Sequence, residues 1–356
     1  MNRADGMNYA PKGKPDPVVK PGEFVFAAIA LDHGHIYGMC NGLIEAGATL
    51  KYVFDKDEEK VKNFCASYPG VTFAPKEVIL NDPEVKLIAG AAVTSERCAL
   101  GLEVLNAGKD YFTDKAPLTS LEQLAAAKEA VARTNKKYMC YFSERLHVEA
   151  AVYAGQLIEA GAIGKVMQVI GLGPHKLSAP TRPEWFFKKE KYGGILCDIG
   201  SHQIEQYLFF AGVKSARVVR SQIANYAHPD YPELDDFGDA VLVGDNGTTN
   251  YFRVDWFTPD GVPFWGDGRT VILGTEGTIE LRKYVNIATS ADSDHVFLFN
   301  NDGEKHFEVH GKVGFPFFGR LILDCINRTE NAMTQEHVFL AAELGVRAQM
   351  QAEKIK

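Results

Sequence analysis

Asp198 and His202 stand four residues apart in the run Tyr192-Gly193-Gly194-Ile195-Leu196-Cys197-Asp198-Ile199-Gly200-Ser201-His202. On a helix that spacing puts both side chains on one face. The neighbours Ile195, Leu196, Ile199, Ile204 and Leu208 are apolar, so the expected helix is largely buried. A carboxylate and an imidazole are costly there unless they pair or serve a site. An imidazole of ordinary pKa, about 6.5, can take or return a proton near neutral pH. A purely structural Asp–His pair is the alternative. Lys115, in Asp114-Lys115-Ala116-Pro117, follows an apolar run and precedes a proline turn. An ammonium at such a strand end can sit beside a substrate oxygen, with a pKa that burial adjusts. The plainer reading is a solvated surface lysine.

Two further features point to a nucleotide. The first is the turn Leu31-Asp32-His33-Gly34-His35, after the first apolar run. A dinucleotide fold usually carries GxGxxG here, so that backbone can approach a pyrophosphate at a helix N-terminus. Ala30, Asp32 and His35 occupy the aligned positions, and the fingerprint is absent. Gly34 and the helix start could still cradle phosphate, with His33 and His35 hydrogen-bonding it. The alternative is Asp32 as a helix cap beside two partly buried histidines. The second feature is Asp55, at the end of the second apolar run, where an acid can hold a ribose diol and repel a 2′-phosphate. It favours NAD over NADP; an ordinary surface aspartate before a helix is the competing reading. Thr94, Glu96 and Arg97 follow the fourth run and, with Asp114 and Lys115, belong to the same crevice.

The elements that must position these groups alternate strand and helix from residue 24. Strands are expected at 24–31, 50–54, 71–74, 85–93, 110–113 and 137–142, with helices between them, including 95–107 and 120–134. Gly47 and Gly108 close two helices, and Asp57 could cap another. This is a Rossmann-type, doubly wound parallel sheet. The later half reads as α+β. Helices at 146–160 and 195–210 are expected, then segments at 216–224, 239–243, 248–256, 270–273 and 278–281. Turns such as Asp245-Asn246-Gly247 make a mainly antiparallel open sheet. Helices at 317–327 and 335–349 end the pattern. The fold class is therefore α/β, with an extended arm at 1–23, a dinucleotide-binding domain at 24–145 and a substrate and oligomerisation domain at 146–356. The last helix could pack back on the first domain.

At 356 residues two domains are the natural expectation. A net charge of −8 without a basic stripe argues against nucleic acid. No apolar run reaches the roughly 18–20 residues that span a bilayer. Residues 1–20, rich in Pro, Gly and Lys, lack the apolar block of a signal peptide. The six cysteines are scattered without CxxC, which suits a reducing compartment, and the cytoplasm is expected.

Gly193, Gly194, Asp198, Gly200 and His202 match every fixed position of GGxxxDxGxH, and here the chain resembles the Gfo/Idh/MocA oxidoreductases. Asp114-Lys115-Ala116-Pro117 is similar to that family's Glu-Lys-Pro turn, with Asp for Glu and Ala inserted before Pro. The stretch 94–117, with Asn106-Ala107-Gly108-Lys109 inside it, resembles the family's fourth-strand-to-lysine segment; in all, the likeness spans about residues 24–349. It implies hydride transfer between nicotinamide and a CHOH carbon of a sugar, sugar derivative or cyclitol. Lys115 would bind the reacting oxygen, His202 would act as general base, and Asp198 would hold a neighbouring hydroxyl or orient the imidazole. In the loop 174–192, His175, Arg182, Trp185 and Tyr192 would contact the polyol, Trp185 foremost. Glu144, Arg145 and His147 would lie near the cleft. No metal is expected, and a homodimer or homotetramer is, with the arm wrapping a neighbour. The competing functions are a metal-dependent hydrolase using His33 and His35 with Asp198 and His202 completing the site, a non-catalytic dinucleotide-binding regulator, and a lyase, epimerase or glycosidase of this fold that recycles bound NAD.

Overall fold

The strand Val25–Ile29 (β1) has every side chain buried, which a strand covered on both faces requires. Its neighbours are β2 (Thr49–Phe54) and β4 (Val85–Gly90). Beyond them lie β3 (Thr72–Phe73), β5 (Asp110–Asp114) and β6 (Tyr138–Tyr141), in the order β3-β2-β1-β4-β5-β6. All are parallel. The order reverses at β1/β4, the switch point where such sheets bind ligands. These features belong to a computed structural model that describes residues 7, 9–286, 289–290 and 292–355.

The connecting helices are α1 (His35–Glu45), α2 (Glu58–Ser67), α3 (Lys76–Asn81), α4 (Arg97–Asn106) and α5 (Leu121–Thr134). Asp57 caps α2 as expected, accepting from the Glu59 and Lys60 amides. Gly47 and Gly108 take the left-handed backbone that ends α1 and α4. The helix expected from 95 starts only at Arg97, because Thr94–Glu96 winds as a tighter 3-10 turn. The expected parallel sheet is borne out.

The chain divides into two units, one of Met7–Tyr141 and Phe315–Phe339, the other of Phe142–Gly314 and Leu340–Lys356. The second begins with α6 (Ser143–Leu146) and α7 (Glu149–Glu159). The single helix expected over 146–160 is broken at Val148, whose backbone is extended. After β7 (Val166–Pro174) come α8 (Lys189–Tyr192), α9 (Ile195–Asp198) and α10 (Gly200–Phe210). Then follow β8 (Ala216–Ala224), β9 (Phe237–Gly244), β10 (Thr249–Asp255), β11 (Arg269–Gly274), β12 (Gly277–Arg282), β13 (His295–Asn300) and β14 (Gly303–Glu308). Two helices, α11 (Pro316–Asn327) and α12 (Gln335–Met350), precede a short β15 (Glu353–Lys354).

The nine-stranded sheet runs β14-β13-β12-β11-β7-β10-β9-β8-β15. Its pairs are antiparallel except β7/β10 and β8/β15, so the mainly antiparallel expectation holds. Buried and half-buried residues alternate along β9 and β10, one face turned to the core under α10. The hairpin β13–β14 was not anticipated. Its outer strand, Gly-Glu-Lys-His-Phe-Glu, is almost wholly exposed, so no buried periodicity marks it.

Residues 10–18 of the arm lie on α1 of their own unit. The Val18 amide donates to Ala46 O (2.9 Å) and the Gly13 amide to the Glu45 carboxylate (3.0 Å). The arm was expected to reach a neighbouring subunit; residues 1–6 and 8 lie outside the described residues. Among the described residues no helix is long and apolar enough to cross a membrane.

Gly101 lets α4 close on the strand that carries Asp114. A Cβ there would stand 2.4 Å from Tyr138 Cε2 and 2.8 Å from Tyr111 Cδ1. Gly101→Ala is therefore expected to cost about 1–3 kcal/mol through overpacking. Urea unfolding should show a lower midpoint at unchanged slope; an unchanged midpoint would mean that α4 is not seated on these rings.

Candidate active site

In the parallel-sheet unit the strand ends frame a cleft of about 590 Å³, lined among others by Ala30, Asp32, Asp55, Lys60 and Val93. Asp55 holds the turn after β1: its Oδ2 accepts from the Leu31 amide (2.6 Å) and its Oδ1 from the Asp57 amide (2.9 Å). Asp32 pairs with Lys60 (2.6 Å). It does not cap α1; Gly34 is the capping residue and supplies no side chain. Ala30 adopts φ 66°, a conformation that glycine reaches more easily.

His33 and His35 turn inward to Asp114. His35 Nδ1 is 2.8 Å and His33 Nδ1 3.2 Å from its carboxylate, which is fully buried. Burial alone would raise this carboxyl's pKa. His35, Arg97 and His33 outweigh that and hold it well below 3.8. Burial, followed by the nearby His35, pushes His33 well below its ordinary value.

Arg97, placed by sequence among the nucleotide contacts, is a buried clamp under the lysine turn. It donates to Ala92 O (2.8 Å), Ala116 O (3.2 Å), Asp114 Oδ2 (3.1 Å) and, at closer range, Lys115 O. The Lys115 amide donates to Asp114 Oδ1 (2.8 Å). The main chain of Lys115 is thereby fixed on both sides, and its side chain is 5% exposed. Thr94 is buried at the start of the 3-10 turn leading into α4.

In the mixed-sheet unit Gly193 and Gly194 both have left-handed φ, 86° and 94°, so the paired glycines are a backbone requirement. A Cβ on Gly194 would also meet the Gln349 amide at 2.2 Å. The helix expected over 195–210 is interrupted at Ile199, which keeps helical angles but accepts a tighter bond from the His202 amide (3.1 Å). Asp198 and His202 are both buried on this segment, 6% and 2% exposed. Ser201 Oγ donates to Asp198 O (2.8 Å), and Gln206 Nε2 to His202 O (3.0 Å).

Beside them is a charge cluster centred on Glu144. Its Oε2 accepts from Lys283 Nζ (2.9 Å), Gln203 Nε2 (2.8 Å) and, more weakly, Gln206 Nε2 (3.4 Å). His175 Nε2 lies 3.7 Å from Oε1. Burial pushes the Glu144 pKa up, but Lys283, His202 and His175 prevail and hold it far below 4.5. His175 Nδ1 faces Gly173 O (3.1 Å), an acceptor only, so that nitrogen carries the proton. The His175 ring rests against Trp265 and Trp256, with centroids 4.2 and 5.5 Å away. Glu144 Oε1, Gln203 Oε1 and Trp256 Nε1 are buried with no hydrogen-bond partner among the described residues.

The remaining candidate residues have partners within their own unit. Arg182 donates to Leu177 O (2.8 Å) and Lys176 O (3.1 Å) and lies over the Phe186 ring. Tyr192 Oη donates to Glu233 O and accepts from the Asp235 amide. Arg145 forms a two-pronged pair with the buried Glu205. Trp185 is half-buried against Phe186, and His147 is buried. Lys283, Gln203 and Trp256 were missed by sequence. Lys283 left one trace: Ile279, Leu281 and Lys283 recur at period two, a lysine in an inward position.

Residues 152–280 match the family model described as the GFO/IDH/MocA C-terminal domain. A crystal structure from Erwinia carotovora atroseptica SCRI1043, of a protein provisionally assigned as an oxidoreductase, is 52% identical with a TM-score of 0.91. The match covers 94% of this chain and 100% of that one. The scyllo-inositol 2-dehydrogenase (NAD(+)) of Bacillus subtilis (strain 168) is 28% identical over 208 residues, 56% of each chain. The D-xylose dehydrogenase of Paenarthrobacter nicotinovorans is 24% identical over 153 residues, 41% of this chain and 39% of that protein. The alignment thus spans about half the length of these two curated relatives or less.

Removing the Glu144 charge strands a buried ammonium. Glu144→Gln is expected to destabilise the fold by about 3–5 kcal/mol at pH 7. A carboxyl with a depressed folded pKa contributes stability above its unfolded value and loses it as pH falls. The gap between wild type and variant should therefore shrink steadily below pH 4.5. A gap that stays constant down to the acid limit in chemical denaturation would show that Glu144 is not held ionised.

Proposed function

We propose, from the premise that this chain belongs to the Gfo/Idh/MocA family, that it is an NAD-dependent oxidoreductase acting on a secondary alcohol of a sugar, sugar derivative or cyclitol. The observation that carries this reading is the buried polar cluster of Glu144, His175, His202, Gln203 and Lys283, with Glu144 Oε1, Gln203 Oε1 and Trp256 Nε1 still open to bonds. Two acceptors and a donor beside aromatic rings suit a ligand that presents several hydroxyls on an apolar ring.

The cleft at the ends of β1, β2 and β4 has the position and size for a dinucleotide. Asp55, Asp32, His33, Gly34, His35, Thr94, Arg97 and Asp114 are assigned to holding it, directly or by shaping the turns around it. Each Asp55 oxygen accepts one amide and keeps a further lone pair for a ribose hydroxyl. A carboxylate at the Asp55 position disfavours a 2′-phosphate, which supports NAD over NADP, although Lys56, Lys60 and Lys76 also line the cleft. Nicotinamide, when bound, supplies the hydride-accepting chemistry.

In alcohol oxidation His202 takes the hydroxyl proton, and in reduction it returns it. Lys115 binds the same oxygen and steadies the negative charge that develops there. Its anchored main chain limits how far the ammonium can wander. Asp198 holds a neighbouring hydroxyl or orients the imidazole. His147, His175, Arg182, Trp185 and Tyr192 shape the substrate side, His175 by direct contact. The outward apolar residues Leu273 and Phe299 of the open sheet support assembly as a homodimer or homotetramer. The scattered free cysteines support a cytoplasmic setting.

The test is NAD reduction over a panel of pentoses, hexoses and inositols. At least one polyol should be oxidised, with Lys115→Ala and His202→Ala each lowering kcat/KM by about 10²–10⁴ while the melting temperature holds. Full rates in both variants would overturn the assignment.

A further inference from the structure

Three groups of His, Asp and Glu side chains bring ligand atoms within 4.8 Å of one another. In the first, His33–His35–Asp114, the carboxylate already faces the Arg97 guanidinium at 3.1 Å, so a second cation there would be repelled. In the second, Glu149–Asp294–His310, the oxygens are taken by main-chain donors. Glu149 accepts from the Gly311, Val313 and Gly314 amides, and Asp294 from that of Ala150. The third, His295–His306–Glu308 on the β13–β14 hairpin, is built differently.

Register puts these three on one face of the hairpin. His295 pairs directly with Glu308, and Phe297 pairs with His306. His295 is fully buried, while His306 and Glu308 are exposed. His295 Nε2 stands 2.9 Å from Asp292 O, an acceptor only, so Nε2 carries the proton and Nδ1 presents a lone pair. That lone pair accepts a hydrogen bond from His306 Nε2 (3.0 Å), whose proton a bound metal ion would displace. Ligating histidines commonly donate their other ring N–H to a carbonyl in this way. The His306 ring is itself oriented, stacked on Phe297 with centroids 4.3 Å apart and planes within 3°. Two nitrogens bound tetrahedrally to one zinc ion stand about 3.3 Å apart. The observed pair needs only a small opening. Glu308 Oε1, 4.0 Å from His295 Nδ1, closes by a rotation of an exposed side chain. The facing cation on β12, Arg282, is engaged by Glu280 at 2.8 Å, which offsets its charge.

We propose that His295, His306 and Glu308 form a binding site for a zinc-like divalent transition-metal ion, with water completing the tetrahedron. The bound ion clips the exposed edge strand β14 to β13. This site is separate from the cluster around His202, and its existence does not depend on the dehydrogenase reading.

The full-length protein, stripped with EDTA, is incubated with zinc and freed of excess by gel filtration. Wild type should retain about one zinc per chain, and its melting temperature should rise. His306→Ala and Glu308→Gln, both at exposed positions and so tolerable to the fold, should each lower zinc affinity by at least about tenfold and abolish the thermal shift. Two results would overturn the proposal. One is wild type that retains no zinc. The other is His306→Ala that retains as much zinc as wild type, which would place the metal on other groups such as the half-buried Cys65 thiol.

Discussion

A carboxylate taken out of water must be matched by positive charge and hydrogen-bond donors, and each unit of this chain carries one beside its candidate site residues. The penalty for burying an ion is several kcal/mol even after relaxation. In the parallel-sheet unit Asp114 meets it by drawing in His35, His33 and Arg97. In the mixed-sheet unit Glu144 meets it with Lys283, Gln203 and Gln206. Neither carboxylate is assigned to react. Asp114 fixes the amide of Lys115, while the Gln203 and Gln206 side chains tie α10, and with it His202, to the charge at Glu144.

The same constraint explains the unusual turn after β1. A glycine-rich turn lets a phosphate approach bare backbone. Here Ala30 takes a left-handed φ at a cost of roughly 1–2 kcal/mol. The bonds from Ala30 N to Phe54 O and from Ala91 N to Ala30 O, both 3.0 Å, hold it there. Asp55 then secures Leu31, and the two histidines pass their rings to Asp114. Side chains shape this turn where glycines usually do.

The sequence was most legible where one residue type answers one backbone or burial demand. Continuous apolar runs gave the parallel strands, Asp57 gave its cap, and the Gly193-Gly194 pair marked two left-handed positions. It was least legible where a side chain's partner lies far along the chain. Lys283 sits 139 residues from Glu144, and no local pattern joins them. Arg97, Arg182 and Tyr192 look from sequence like ligand contacts, because polar and aromatic residues in loops often are. In the fold they bond main-chain carbonyls and amides, and Arg97 also the Asp114 carboxylate, partners that only the folded chain assembles. The outer strand β14 escaped notice because an exposed edge strand needs no apolar alternation.

The central claim is that a carbinol carbon gives its hydrogen to NAD with His202 and Lys115 acting on the attached oxygen. It is tested most directly with a polyol substrate deuterated at the reacting carbon, followed by mass spectrometry of the recovered nicotinamide cofactor. The account predicts a cofactor carrying a single deuterium, with labelling slowed at least about a hundredfold when Lys115 is replaced by alanine although NAD still binds. Product formation with the cofactor unlabelled throughout would contradict it.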